Sequence, residues 1–160
     1  MTTKINMNKI CQLLDFDADV LLFNKDTYIV SRFKELISEN FRQKFRTRLE
    51  NAQVTVSESL QKLCINEVYF QAEDITWQSS SEGIDCQLFK VGSTDWEAGK
   101  LRIKVSTEIS PPYLEKLPGS VTRKFKTGQL NITVVLEFYP DNPNKTESPL
   151  DDLRKMIQAT

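Results

Sequence analysis

The segment running from Trp96 to Pro111 is written again, 29 positions later, from Phe125 to Pro140. Trp96-x-x-Gly99-x-Leu101-x-Ile103-x-Val105-x-x-Glu108-Ile109-x-Pro111 becomes Phe125-x-x-Gly128-x-Leu130-x-Ile132-x-Val134-x-x-Glu137-Phe138-x-Pro140. Strict apolar/polar alternation between a glycine and a proline predicts a strand buried on one face. In the first copy Leu101, Ile103, Val105, Thr107 and Ile109 share the inner side, and Lys100, Arg102, Lys104, Ser106 and Glu108 share the outer side. In the second, Leu130, Ile132, Val134, Leu136 and Phe138 point inward. Slipping either strand by one residue would put its whole apolar set in water, so both are expected in one sheet with firm register. Val135 and Tyr139 make the second copy's outer face partly apolar, which predicts cover by the long helix or by a partner. The Lys-Arg-Lys face of the first is expected to be open.

Other elements follow from local spacing. Asp15, Asp17 and Asp19 precede two short strands, Val20-Leu-Leu-Phe23 and Thr27-Tyr-Ile-Val30, joined by a turn at Asn24-Lys-Asp26. The acidic string lacks the glycine and the closing glutamate of a calcium loop. Ser31 is the expected N-cap of a helix reaching about Glu50, with Phe33, Leu36, Ile37, Phe41, Phe45 and Leu49 on its apolar stripe. A short helix capped by Ser57 and carrying Leu60, Leu63 and Cys64 is expected next, then strands at Val68-Tyr-Phe70 and Ile84 to Lys90. Pro111 to Gly119 reads as a turn-rich connection. Ser148 as cap, Pro149 at the first helical position and Asp151 start a short C-terminal helix with Leu150, Leu153, Met156 and Ile157 on one stripe. The fold expected is α+β: an antiparallel sheet packed against one long amphipathic helix, with a short C-terminal helix.

Composition narrows the chemistry. The 160 residues are expected to form one domain with flexible ends at about 1–12 and 158–160. The chain contains no histidine, which removes His-based triads, imidazole bases and His metal ligands. Cys11, Cys64 and Cys86 are odd in number and widely spaced, which argues for buried reduced thiols over a disulfide framework or a zinc site. The longest apolar run, Val20 to Phe23, is far short of a membrane span and the first residues lead to the expectation of no secretory signal, so the expected location is cytoplasmic, without a membrane partner. No cofactor motif is readable: Gly99 and Gly128 stand alone, suited to strand entry, and no phosphate-binding glycine loop surrounds them.

The stretches Asp95-Trp-Glu-Ala-Gly-Lys-Leu-Arg-Ile-Lys-Val-Ser-Thr-Glu, Leu136-Glu-Phe-Tyr-Pro-Asp and Glu147-Ser-Pro-Leu-Asp-Asp-Leu-Arg resemble the KGK domain family, known chiefly from cyanobacteria. The resemblance runs from about Asp19 to Leu153. The family is named for a Lys-Gly-Lys motif, which here reads Ala98-Gly99-Lys100, while the second copy offers Thr127-Gly128-Gln129. The family's molecular role is uncharacterised, so the resemblance assigns no catalytic or binding residues.

Three functional readings remain. With 21 basic against 22 acidic residues, no global field favours a polyanion, so any such partner must use a local patch. The candidate surface is Arg42, Lys44, Arg46 and Arg48 on the long helix, with Lys100, Arg102 and Lys104 on the first repeat strand. These cations are either a solvated face or the contact surface of a partner. The leading expectation is a non-enzymatic interaction or adaptor domain with a protein partner, as monomer or homodimer. Nucleic-acid binding through the same cations is the second. The third is a carboxylate enzyme using Glu108 and Glu137 at equivalent repeat positions.

Overall fold

The computed structural model describes residues 10–47, 53–110, 113–116, 118–119, 123–126, 129–142 and 156–157. Along the chain run β1 (Gln12–Leu13), β2 (Val20–Phe23), β3 (Asp26–Ile29), α1 (Val30–Arg46), α2 (Val56–Gln61), β4 (Lys62–Ile65), β5 (Val68–Gln71), β6 (Asp74–Gln78), β7 (Ile84–Phe89), β8 (Glu97–Ile109), β9 (Tyr113–Lys116), β10 (Arg123–Lys126) and β11 (Leu130–Pro140). This is an α+β fold, mostly antiparallel sheet with one long helix. Its contacts separate into two compact units. One comprises Met1–Ile37, Gln78–Lys104 and Val134–Thr160; the other comprises Ser38–Trp77 and Val105–Thr133.

In the first unit, which holds β8 as far as Lys104 and β11 from Val134, the strand order is β1-β11-β8-β7-β2-β3. The two repeat strands are neighbours, as their alternation predicts. The Asp141 amide donates to the Ala98 carbonyl at 3.0 Å, and counting antiparallel from that bond sets Leu101 opposite Phe138. Both are buried and join Leu14, Leu21, Val30, Cys86, Leu88 and Leu136 in the core, against which Phe33 and Ile37 of α1 pack. The first turns of the helix therefore cover the inner face of the sheet, and not the Val135–Tyr139 side of β11 where cover by the helix was one expectation.

The β2–β3 hairpin turns through Asn24, whose φ of 51° is a left-handed conformation that asparagine tolerates. Ser31 is not the cap of α1. The helix starts one residue earlier, and its first amides are taken by backbone: Val30 N–H donates to the Asp19 carbonyl at 2.8 Å and Ser31 N–H to that of Asp17 at 3.1 Å. The acidic string thus serves the helix start through its main chain. Asp19 is itself buried, and its carboxylate accepts from the Val91 amide at 2.9 Å.

In the second unit β6 pairs with β8. Ile109 N–H donates to the Glu73 carbonyl at 2.9 Å, and Ser110 N–H to that of Gln129 at 3.0 Å. The latter bond sets Ile109 opposite Leu130, which are the repeat counterparts of Phe138 and Leu101. The same two repeat positions thus face each other in each unit, with their strands exchanged. Phe45, Val105, Thr107 and Ile109 are buried here, and Phe41 meets the Trp77 ring edge-on at 5.2 Å.

Three expectations change in this unit. The cap of α2 is Thr55, whose hydroxyl accepts from the Glu58 amide at 3.3 Å, so the helix starts earlier than Ser57 would allow. It then stops at Gln61, and Leu63 and Cys64 lie on a strand. The connection after Pro111 holds a hairpin, β9 against β10, where only turns were expected. α1 also stops short of the expected Glu50: it ends at Arg46, and Thr47 has already left the helix, its carbonyl accepting from the Val56 amide at 2.9 Å, while Arg48, Leu49 and Glu50 lie outside the described residues. The same is true of Ser148, Pro149 and Asp151; of the expected C-terminal helix, Met156 and Ile157 are described, and both are helical.

Candidate protein interface

The basic residues singled out in the sequence do not form a bare field. In the first unit Lys100, Arg102 and Lys104 are half-buried at the surface, and the first two are engaged by their own chain. Lys100 Nζ pairs with Asp85 Oδ1 at 2.8 Å, and this bond raises the lysine's pKa. Arg102 donates to Gln78 Oε1 at 2.7 Å. Along the same outer face Tyr139 donates to Glu137 at 3.1 Å; burial, then the nearby Cys11, pushes its phenol up to about 12. In the second unit Arg42 reaches the Leu130 carbonyl at 3.4 Å, and Lys44 stands over the Phe41 ring at 5.8 Å. Arg46 is exposed, and Arg48 lies outside the described residues. The cations divide between the units, and most are already engaged with their own chain. Glu108 and Glu137 likewise belong to different units.

Periodicity reading missed a different surface, in the second unit. Strands β4 and β5 form a separate two-stranded sheet closed by the two-residue loop Asn66–Glu67, with Asn66 at φ 54°. Its open end is held by Ala72 N–H donating to the Gln61 carbonyl at 2.7 Å. Leu63 faces Phe70 and Ile65 faces Val68. Paired residues and residues two apart share a side, so these four make one apolar face. Each is 54–55% exposed. The opposite side carries the exposed Cys64 and Tyr69. Among the described residues no third strand joins the hairpin. A two-stranded hairpin is marginal in water unless its apolar face is covered, which makes this face the candidate for a contact.

The signal for this surface was present. Apolar residues alternate on both sides of Asn66-Glu67, and asparagine at the first loop position is hairpin chemistry. It was masked because Leu60, Leu63 and Cys64 also fit helical spacing. The thiols divide accordingly: Cys64 is exposed, Cys11 half-buried and Cys86 buried, so the expectation of three buried thiols holds fully only for Cys86. Burial first, then the charges of Asp85 and Asp141, pushes the Cys86 thiol up to about 12.

The antiparallel sheet backed by α1 defines the chain as an α+β domain. It belongs to the KGK domain family, whose model matches residues 9–118 and 116–157. No curated protein and no solved structure matches the chain. No described helix is long and apolar enough to cross a membrane.

The family's naming motif acquires a physical reading. Gly99 lies inside β8, not at a turn: a Cβ there would meet Phe138 Cζ and the Tyr139 carbonyl oxygen, both at 2.5 Å. Lys100 is tied to Asp85. Ala98, where the motif has its first lysine, is exposed and uses its carbonyl to hold Asp141.

Proposed function

We propose that the chain is a non-enzymatic interaction domain whose contact element is the β4–β5 hairpin and whose partner is a protein. The observation that carries this reading is the uncharged face of Leu63, Ile65, Val68 and Phe70, each half in water on a sheet of two strands. Covering such side chains completely would gain on the order of 1 kcal/mol apiece, since about half of the 1.5–3 kcal/mol for full burial is still to be won. Phosphates or an acidic partner would need cations free of prior engagement. Lys100, Arg102 and Arg42 already have partners within the chain, which weakens the nucleic-acid reading.

Cross-linking mass spectrometry on the native protein tests this, because Lys62 places a reactive amine at the hairpin's open end. Intermolecular cross-links are expected to gather at Lys62 and to vanish in the I65D/F70D variant while circular dichroism stays unchanged. Intermolecular cross-links confined to Lys100 and Lys104, and unchanged in that variant, would move the interface to the sheet.

A further inference from the structure

We infer that the hairpin face is covered by a second copy of the same face, two hairpins stacking antiparallel about a two-fold axis. This rests on reading the hairpin as the contact element and names its occupant. The first argument is self-likeness. Leu63, Ile65, Val68 and Phe70 form a compact square of hydrocarbon with no charge, so the face is its own complement, and isologous two-fold contacts are the commonest way for identical chains to meet.

The second argument is charge at the ends of the hairpin. Lys62 opens β4 and Glu67 sits in the loop at the other end; both are exposed, and neither has an ion-pair partner among the described residues. Antiparallel stacking carries the tip of each hairpin over the open end of the other. Each Glu67 then comes to the end where the partner copy has its lysine, twice by symmetry. Parallel stacking would set like charge over like. Lys62 leaves β4 on the Cys64 side, so its long, bendable stem has to round the sheet edge to reach across the roughly 10 Å between facing sheets. Cys64 and Tyr69 face away from this contact and stay in water. The contact is small, so the dimer is weak and depends on concentration.

The test is analytical ultracentrifugation of the full chain over a wide concentration range, with charge-swapped variants. The wild type is expected to move from monomer to dimer, and F70D to remain monomeric at least tenfold higher in concentration. K62E and E67K each weaken self-association, whereas mixing the two restores it as a heterodimer, because one chain then presents glutamates at both ends and the other lysines. That selective pairing separates a specific dimer from general stickiness. A monomer at every concentration, or a mixture no tighter than the single variants, overturns the inference. If the chain is monomeric yet its cross-links to another protein still depend on Ile65 and Phe70, the second copy is excluded and the interaction reading survives. Loss of both kinds of contact removes the two together.

Discussion

Gly99 and Phe138 compete for one volume: the Phe138 ring stands where a side chain on Gly99 would begin, with ring atoms at 2.5 and 2.8 Å from an ideal Cβ. The carbonyl oxygen of Tyr139 closes the same space from the backbone. G99A is therefore expected to destabilise the fold by about 1–3 kcal/mol through overpacking. In an F138A background the added cost should shrink without vanishing, because the Tyr139 carbonyl remains. Urea denaturation of the four chains in a double-mutant cycle measures this coupling; strictly additive costs would show that the ring is not the obstacle.

Asp19 joins the start of α1 to the loop after β7, its carbonyl accepting from Val30 and its carboxylate from Val91. Replacing it by alanine leaves the Val91 amide without its acceptor, at roughly 1–3 kcal/mol. D19N keeps an acceptor oxygen and should recover part of the loss. Hydrogen exchange at Val91 should quicken in D19A before exchange elsewhere does.

The thiols should separate by accessibility. At neutral pH a disulfide reagent is expected to modify Cys64 first, Cys11 slowly and Cys86 only in denaturant. The alkaline limb of stability carries the signature of Cys86. Its folded pKa of about 12 lies above the ordinary 9.0, so the native state holds a proton that the unfolded chain has lost. Its contribution is complete below pH 9 and is lost as pH rises toward 12, at no more than about 1.4 kcal/mol per pH unit. C86A should flatten that slope, as read by denaturant midpoints across the range.

The Lys100–Asp85 bridge is largely exposed on the aspartate side, and such pairs contribute about 0–1 kcal/mol. K100A should barely move the denaturation midpoint. Fluorescence titration with a generic oligonucleotide in dilute buffer is expected to show no binding that R42E/R46E abolishes. A steep, salt-sensitive affinity lost in that variant would return the basic residues to the centre of the function.

What could be read from the chain follows from the range of the forces involved. The repeat strands and the β2–β3 hairpin are set by alternation and turn chemistry within a few residues, and their inner faces emerged correctly at Leu101, Val105, Leu136 and Phe138. The cap of α1 did not, because carbonyls of the preceding loop reached its first amides before the Ser31 hydroxyl could. Alternation also says which side Lys100 and Arg102 take, but not that Asp85 and Gln78 wait there from other strands. The candidate site was lost to ambiguity: Leu60, Leu63 and Cys64 fit helical spacing while Leu63 and Ile65 fit extended alternation, and only the pairing of Leu63 with Phe70 decides between them.

Ala98 shows what the missing letter of the family motif means for this chain. Its side chain projects into solvent while its carbonyl does the holding, so a lysine there meets no steric obstacle. The triplet can be rebuilt by a single exchange, A98K, without disturbing the scaffold. The middle letter admits no such freedom, since the neighbouring strand already fills the room a side chain would need.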